Sequence, residues 1–479
     1  MTGSILASRS FTPDDQRQFA QASGDFNPIH LDPDFARRTL MGAPVVHGIH
    51  TLLWALDAAL RSEPLDLQHL KVRFHQPLYL DETADVAVKA RDGTSLSFEV
   101  VMDGIVIAAI KAASSPGKAT GEAARSVRAD VETFSGAANP AFEQMARQAG
   151  AVSAPAADGN LRHLFPALAQ SAGTSTLRAL LATSQIVGMA CPGLHSLFTG
   201  LDLNRDPASD GESALRYSVT RADPRFRALQ IDVAGCGVVG RLEAFARHAP
   251  PRQPDMAAIS SRVRAGAFAG RRALVVGASR GLGEVTAKII GAGGGHVLLT
   301  YRDGKLEAER VAAEISDAGG SCEVVRYDAL APVSDQLAGV GAIQSCYYFA
   351  TSRIFERKLA ETFSPQRLRR HLSYTSDAFH ALCSELSARA SGKTIGIFYP
   401  STVAIDTEAS GIAEYAMAKA AGETLARYLN ASLPHVQIVS HRLPRILTDQ
   451  TATVGAAVAH DPLDVLLPIV YEIEQIGRP

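Results

Sequence analysis

The most constraining feature of this chain is a regular alternation of strand-like and helix-like segments that begins near Gly270. Short apolar runs are each followed by a segment with helical periodicity, as in ALVVG (273–277) before EVTAKIIGAG (284–293), and HVLLTY (296–301) before KLEAERVAAEISDAG (305–319). Such alternation favours parallel strands joined by crossover helices. We therefore predict a doubly wound α/β domain over residues 264–479.

The first 120 residues follow a different pattern, in which one helical run precedes several strand-like runs. After an opening polar loop, the apolar segment TLLWALDAALR (51–61) reads as a helix. Four runs broken by turns follow it: LQHLKVRFHQPLYL, TADVAVKA, LSFEVVM and IVIAAIKAA. Their β-branched content indicates strands. We expect an antiparallel sheet wrapped on a central helix.

The middle of the chain repeats that plan. The run ATSQIVGMACPGLHSLFTGLDL (182–203) reads as a second helix, and SALRYSVT, RALQIDVAG and GVVGRLEAFAR read as strands. Aligning Gly48 with Gly193 sets the two halves in register. This offset is too long for a solenoid repeat, so we interpret it as a degenerate duplication of a whole domain.

Two stretches without periodicity supply the domain boundaries. One is the small-residue segment Ser114 to Arg125, and the other is HAPPRQPDMA (248–257), where three prolines block helix continuation. The predicted domains are residues 1–118, 126–250 and 264–479.

Composition excludes several classes of protein. A net charge of −2 supplies no basic field for nucleic acid, and 46% hydrophobic with 20% charged residues is typical of globular chains. The five cysteines form no C-x-x-C pair and no histidine stands at metal-ligand spacing, so we expect no metal site. No basic leader and no apolar run of roughly 20 residues occurs. We expect a cytoplasmic protein that binds neither membrane nor nucleic acid.

One polar constellation stands out near the N-terminus. The segment Ser-Gly-Asp-Phe-Asn-Pro-Ile-His spans residues 23–30, and Ala36 follows. It resembles the signature of the MaoC-like (R)-specific enoyl-thioester hydratases of the hotdog fold, over roughly the first 115 residues. The resemblance implies that Asp25 and His30 form the catalytic pair. It also implies that Asn27 orients the pair or the water.

The chemistry is consistent with these residue types. Hydration or dehydration of a 3-hydroxyacyl thioester moves a proton at the α-carbon and a water at the β-carbon, so two acid/base groups must lie close together. A donor for the enolate oxygen is also needed. We assign it to the backbone N–H of Gly48, where the predicted helix begins. Taken singly, Asp25 and Asn27 could instead form an Asx turn, with His30 on the surface.

The middle segment lacks this constellation, so we expect it to have kept the shape and lost the chemistry. Its expected role is to complete a double hotdog and help line the acyl tunnel. Within it, His195 and Ser196 have no carboxylate nearby in sequence, so we interpret both as structural.

The C-terminal segment carries a second constellation. Glycines 277, 281 and 283 follow an apolar strand and open a helix, which is the context of a dinucleotide fingerprint. Tyr415 and Lys419 form a Y-x-x-x-K pair, and Ser401 lies 14 residues before the tyrosine. This set resembles the short-chain dehydrogenase/reductase family, whose fold is of the Rossmann type. The resemblance implies that Tyr415 is the general acid, that Lys419 lowers its pKa and binds the ribose, and that Ser401 orients the carbonyl.

The cofactor choice follows from the end of the second predicted strand. An acidic residue there would suit NAD, but Arg302 closes the run and Arg280 lies in the glycine loop, so the pair favours the 2′-phosphate of NADPH. Asp328 matches the aspartate of that family that contacts adenine. The remaining expected cofactor contacts lie in the glycine loop: Gly277, Ser279, Gly281, Leu282 and Gly283.

Together, the two constellations predict an enzyme that reduces a 3-ketoacyl thioester and then dehydrates the (R)-3-hydroxyacyl product to the trans-2-enoyl thioester, in fatty-acid or polyketide-type biosynthesis. The carrier is coenzyme A or an acyl carrier protein, and a homodimer is the expected state. Tyr347 to Ala350 replace the N-N-A-G segment of reductases, and their catalytic asparagine has no clear counterpart. Two alternatives therefore stay open: an acyl-thioester-binding scaffold, and a hydratase with a silent reductase domain.

Overall fold

The computed structural model describes residues 4–118, 120–155, 164–354, 363–408, 411–449 and 459–478. The chain divides into two compact units, one ending at Ala249 and the other beginning at Pro250. Among the described residues, no helix is both long enough and apolar enough to cross a membrane.

The first unit is built on one eleven-stranded sheet. Its strands are β1 (Ile5–Ser10), β2 (His69–Phe74), β3 (Thr83–Arg91), β4 (Ser95–Met102), β5 (Ile105–Ala113), β6 (Val131–Glu132), β7 (Ala149–Ser153), β8 (Ser196–Arg205), β9 (Ala214–Asp223), β10 (Ala228–Gly235) and β11 (Val238–Ala246). Their order is β1-β3-β4-β5-β2-β8-β11-β10-β9-β7-β6. All neighbours are antiparallel except β6 and β7.

The two halves of this sheet share one plan and meet at β2 and β8. In each half an outer strand and a long helix precede four strands, and His69 of β2 lies opposite Asn204 of β8. The long helices, Gly48–Ser62 and Pro166–Gln185, pack against each other in the shared core. The shorter helices are Pro13–Ser23, Pro28–Leu31, Pro33–Arg37, Glu122–Arg125 and Phe142–Met145.

Two sequence predictions for this unit are wrong. The second long helix begins upstream of the predicted run 182–203, of which only residues 182–190 are helical, and Gly193–His195 is a short 3₁₀ turn that leads into β8. Aligning Gly48 with Gly193 therefore matched the start of a helix with the turn before a strand. The opening segment is also not a loop, because it contains β1 and the helix Pro13–Ser23. Its charged residues face solvent, which hides the apolar periodicity.

The second unit contains a six-stranded parallel sheet. Its strands are β12 (Arg272–Val276), β13 (His296–Tyr301), β14 (Ser321–Arg326), β15 (Ser345–Tyr348), β16 (Ile395–Thr402) and β17 (Val436–Leu443), in the order β14-β13-β12-β15-β16-β17. The helices are Met256–Ser260, Gly281–Ala292, Lys305–Asp317, Val333–Gln336, Pro365–Leu372, Phe379–Arg389, Ala404–Thr407, Ala413–Ser432 and Pro462–Gln475. The strand order reverses direction between β12 and β15, where open α/β sheets bind ligands at the carboxyl edge.

Candidate functional sites

Local backbone signals shape the first candidate site. The helix Pro13–Ser23 ends at Gly24, whose φ of +74° is accessible to glycine. The side chain of Asn27 then caps the helix Pro28–Leu31, which begins with proline. These two stops place Asp25 in a short buried loop between helices.

The Asp25 carboxylate is almost fully buried, with 2% of the residue exposed. Oδ2 accepts a hydrogen bond from the Ser184 hydroxyl at 2.7 Å, and Oδ1 accepts one from the backbone N–H of Asn27 at 3.2 Å. Burial raises the pKa of Asp25 to about 6, although both hydrogen bonds oppose this effect. The group therefore titrates close to neutrality.

The His30 imidazole is held in one tautomer. Nδ1 lies 2.8 Å from the carbonyl oxygen of Val45, which can only accept, so Nδ1 carries the proton and Nε2 presents a lone pair. Burial, with the charge of Arg247 adding to it, lowers the pKa of His30 to about 4. The ligand atoms of Asp25, His30 and His47 all lie within 4.8 Å of one another. The fold thus brings the predicted pair together with both members ready to accept a proton at pH 7.

Asn27 contacts both the Asp25 loop and the second half of the sheet. Its Nδ2 donates to the carbonyl oxygens of Gly188 at 2.9 Å and Gly193 at 3.1 Å, and its Oδ1 accepts from Ile29 N–H. The side chain therefore ties the loop to the second half of the sheet. It is the backbone N–H of Asn27 that orients the Asp25 carboxylate.

His47 completes a cluster with the spacing of a metal site, but its ring is already engaged. Nδ1 lies 2.8 Å from Gln16 Oε1, and Nε2 lies 3.1 Å from the carbonyl oxygen of Asp25. The His30 and His47 rings stack with centroids 3.8 Å apart. This arrangement fits a rigid support for the acid/base pair better than a set of metal ligands.

Gly48 begins the first long helix, as predicted. The N–H groups of the first turn of a helix have no intrahelical acceptor. No side chain caps this helix, so these groups can donate to a ligand. A Cβ on Gly48 would lie 3.3 Å from the Phe74 ring. The backbone is therefore exposed to a narrow apolar space, which suits a thioester oxygen.

The second half supplies contacts that the sequence analysis missed. Besides Ser184, it contributes Gly188, where an added Cβ would lie 2.2 Å from Asp25 Oδ1, so only glycine leaves room for the carboxylate. Ser184 and Gly188 stand where the long helix continues into a π-helical turn, Ile186–Ala190. Neither residue belongs to a motif, and the long sequence separation left no signal to find them.

The second candidate site begins at the glycine loop after β12. Gly277 and Gly281 have φ of +80° and +60°, and a Cβ on Gly283 would lie 2.3 Å from the Gly277 carbonyl oxygen. The backbone N–H of Gly277 donates to Thr300 Oγ1 at 3.1 Å. Ser279 is buried, and Leu282 packs on the core. The loop thus has the close helix-to-strand packing that a pyrophosphate cradle needs.

The charged residues expected to contact a cofactor line the carboxyl edge, each with protein partners. Arg280 pairs with Asp449 at 3.5 Å. Arg302 donates to Asp303 and to the Tyr374 hydroxyl, both at 2.7 Å. Asp328 Oδ1 accepts from the Leu330 N–H. Arg302 is about half exposed, so an anion can reach it in place of Asp303.

The predicted tyrosine, lysine and serine are only partly assembled. Lys419 Nζ lies 5.8 Å from the Tyr415 ring centroid and donates to the Pro400 carbonyl at 2.6 Å. Burial lowers the pKa of Lys419 to about 8 and raises that of Tyr415, which is the opposite of the expected effect of the lysine on the phenol. Ser401 donates its hydroxyl proton to Glu423.

Two of the residues that replace the N-N-A-G segment, Tyr347 and Tyr348, lie in β15 itself. Tyr347 hydrogen-bonds to buried Glu474 at 2.9 Å, and Tyr348 donates to the Tyr374 carbonyl at 2.7 Å, so both serve the core. Buried His371, 2.6 Å from the Ser352 hydroxyl, stands edge-on to the Tyr415 ring at 5.7 Å. No sequence motif singled out His371.

Residues 5–108 match the family described as MaoC like domain. A 95-residue segment is 33% identical to the peroxisomal multifunctional enzyme type 2 of Drosophila melanogaster, covering 19% of this chain and 16% of that protein. A 58-residue segment is 43% identical to the (R)-specific enoyl-CoA hydratase of Aeromonas caviae, covering 12% of this chain and 42% of that protein. The chain thus spans less than half the length of these relatives.

Among solved structures, the short chain dehydrogenase from Shigella flexneri is similar to this chain at a TM-score of 0.40 and 17% identity. The alignment covers 44% of this chain and 88% of that one.

Proposed function

Because residues 5–108 form a MaoC-like domain, we propose that the first unit interconverts (R)-3-hydroxyacyl and trans-2-enoyl thioesters. Asp25 and His30 are the acid/base pair of this proposal. The observation that carries it is their juxtaposition within 4.8 Å in a buried loop, with a pKa of about 6 for Asp25 and about 4 for His30. Coenzyme A thioesters are the first substrates to test, since the Aeromonas relative is named for one.

The proposed steps move one proton. In dehydration, one member of the pair accepts the α-proton, and that proton then leaves on the β-hydroxyl as water. At neutral pH the Asp25 carboxylate is mostly ionised, and the His30 imidazole is neutral with Nε2 unprotonated, so either group can accept a proton. The N-terminus of the helix that begins at Gly48 holds the enolate oxygen. Hydration is the same path reversed.

The second half of the first unit completes this site in the proposal, as the partner half of a double hotdog. It provides the Ser184 hydroxyl and the space at Gly188, and it anchors Asn27 through two carbonyl groups. Its expected tunnel-lining role therefore extends to supporting the catalytic carboxylate.

For the second unit we propose NADPH-dependent reduction of a 3-ketoacyl thioester. The glycine loop fits a dinucleotide, because it has two positive-φ glycines and no room for a Cβ at Gly283. Arg280 and Arg302 would hold the 2′-phosphate, and NADPH would supply the hydride. Tyr415 would protonate the carbonyl oxygen, with Lys419 placed to stabilise its phenolate form.

The two reactions are consecutive, because reduction produces the 3-hydroxyacyl thioester that dehydration consumes. We therefore place the protein in fatty-acid or polyketide-type chain building in the cytoplasm. The carrier is coenzyme A or an acyl carrier protein, and a homodimer is the state we propose.

A second candidate function is a hydratase whose reductase unit is silent. Two observations favour it: Ser401 donates to Glu423, and burial raises the pKa of Tyr415. Both would have to change before the tyrosine could act as an acid near neutrality.

The test uses the full chain and two substitutions. NADPH oxidation is followed with a 3-ketoacyl thioester, and enoyl formation is followed with an (R)-3-hydroxyacyl thioester. We expect Tyr415→Phe to abolish only the first activity and Asp25→Asn only the second, each by about 10² or more. NADPH oxidation that is absent from the wild type, with dehydration intact, would select the silent-reductase function. Absence of both activities would reject the proposal.

A further inference from the structure

A buried arginine from the second half of the first unit has no anionic partner in the part of the chain that the structure describes. Arg247 directly follows β11, and only 4% of it is exposed. Its backbone N–H donates to the His195 carbonyl at 2.8 Å, and its Nε donates to the Ser196 carbonyl at 3.3 Å. Nη2 is buried without a hydrogen-bond partner among the described residues. A cation in this position is costly unless something pairs with it.

This guanidinium lies within electrostatic reach of the acid/base pair. Its charge adds to burial in lowering the pKa of His30 to about 4, and it acts in the same way on His195. His195 is 9% exposed, and its Nδ1 also lacks a hydrogen-bond partner within the part of the chain that is described. A backbone hydrogen bond joins Arg247 to His195, and each residue has a side-chain nitrogen without a hydrogen-bond partner among the described residues.

Around His195 the structure has apolar side chains and one further cation, Arg227, whose charge adds to burial in lowering the pKa of His195. Phe35 stacks on the His195 ring with centroids 6.4 Å apart. Around it a small cluster packs beside His30, formed by Ile29, Phe35, Met41, Val45, Tyr79 and Leu197. A plain alkyl chain next to Arg247 would bury the guanidinium further and give it no anionic partner. A carboxylate would accept from Arg247 Nη2 and from His195 Nδ1–H.

We propose that Arg247 and His195 bind a carboxylate on the acyl chain of the substrate. This inference rests on the proposed hydratase function, and it makes the first unit selective for dicarboxylic acyl thioesters over plain alkyl ones. Both residues lie outside the segment 5–108 that matches the MaoC-like family. In this proposal the second half sets substrate choice through a charge of its own.

The experiment compares matched (R)-3-hydroxyacyl-CoA pairs that end in a methyl group or a carboxylate, over a short series of chain lengths, with the full-length protein. We expect wild-type kcat/KM to favour the carboxylate by about tenfold or more at one length. Arg247→Met should lower that value by about 30-fold while leaving the methyl substrates nearly unchanged. Arg247→Lys should lose less. Arg225→Met removes an exposed arginine paired with Asp223 and should change neither.

A binding measurement separates this inference from the proposed function. Calorimetry measures the affinity for saturated diacid and monoacid thioesters, which the enzyme cannot convert. It therefore tests the carboxylate site even if the protein has no hydratase activity. A carboxylate preference that Arg247→Met removes supports the inference. Equal affinity of the wild type for the diacid and monoacid ligands overturns it. An equal loss of kcat/KM for the carboxylate and methyl substrates in Arg247→Met also overturns it, because such a loss would indicate that Arg247 acts at the thioester. If Arg247→Met does not fold, Arg247→Lys gives the same comparison.

Discussion

At the scale of single residues, the hydratase site depends on opposite pKa changes in two neighbours. Burial raises the pKa of Asp25 to about 6 and lowers that of His30 to about 4, because each charged form loses its hydration. The neutral imidazole and the ionised carboxylate then coexist over a window around neutrality. Ionising Asp25 inside the protein costs stability, which the site tolerates for the sake of its chemistry.

The first prediction concerns Asp25→Asn. In the folded protein Asp25 has a pKa of about 6, against an ordinary value of 3.8, so the folded state binds its proton more tightly. Wild-type stability therefore falls as pH rises from about 4 to 6, and the asparagine lacks this loss. The variant should gain about 2 kcal/mol relative to wild type between pH 4 and pH 8. Urea unfolding at both values measures it, and a constant difference would contradict the assigned burial of the charge.

At the scale of elements, the second long helix supports the Asp25 carboxylate. It reaches Asp25 through Ser184 on its last turn, and the π-helical turn that follows places Gly188 against the carboxylate. Helix Pro166–Gln185 also breaks at Gly173, where φ is +74°. This helix thus presents groups from the second half of the sheet to the acid/base site of the first half.

The second prediction concerns Ser184→Ala. The hydroxyl stabilises the carboxylate form, so its removal should raise the pKa of Asp25 further. The acid limb of dehydration activity, expected near pH 6, should move up by about one to two pH units. The rate at high pH should change little. Thr183→Ser keeps a hydroxyl on the neighbouring residue and serves as the control. A uniform loss of rate without movement of the limb would assign Ser184 to packing alone.

At the scale of the whole molecule, the chain combines an antiparallel unit and a parallel unit with separate cores. Each candidate site draws its residues from one unit. In the second unit, the glycine loop, Tyr415 and Lys419 all stand toward the carboxyl edge of the parallel sheet, as the strand order requires.

The third prediction follows from this division. NADPH at about 100 times its Kd should stabilise the unit that binds it by roughly 2.7 kcal/mol and leave the other unit unchanged. Calorimetry of the full chain should therefore show one transition that shifts with NADPH. Gly283→Ala places a Cβ 2.3 Å from the Gly277 carbonyl oxygen and should remove the shift. Gly339→Ala is the control, because a Cβ added at Gly339 has no atom within 4 Å. Gly319→Ala does not serve, because the φ of Gly319 is +83° and an alanine would be strained there. A shift that persists in Gly283→Ala would contradict nucleotide binding at this loop.

Local signals were enough to predict much of this protein. The strands after residue 67, the βα alternation after Gly270, and the juxtaposition of Asp25 with His30 all follow from periodicity and short motifs, because these depend on neighbours along the chain. Tyr415 and Lys419 share a helix face for the same reason.

Only the tertiary structure decided the burial, the pKa direction and the hydrogen bonds of those residues. Ser184, Gly188, Arg247 and His371 stand far in sequence from the groups they touch or polarise, so no window of sequence shows them. Burial set the pKa directions of Asp25, His30 and Tyr415, and it reversed the expectation for the tyrosine. The sequence by itself determined which chemical groups are present. The packing of distant segments determined their solvation and hydrogen bonds, since both depend on contacts that form only when the chain folds.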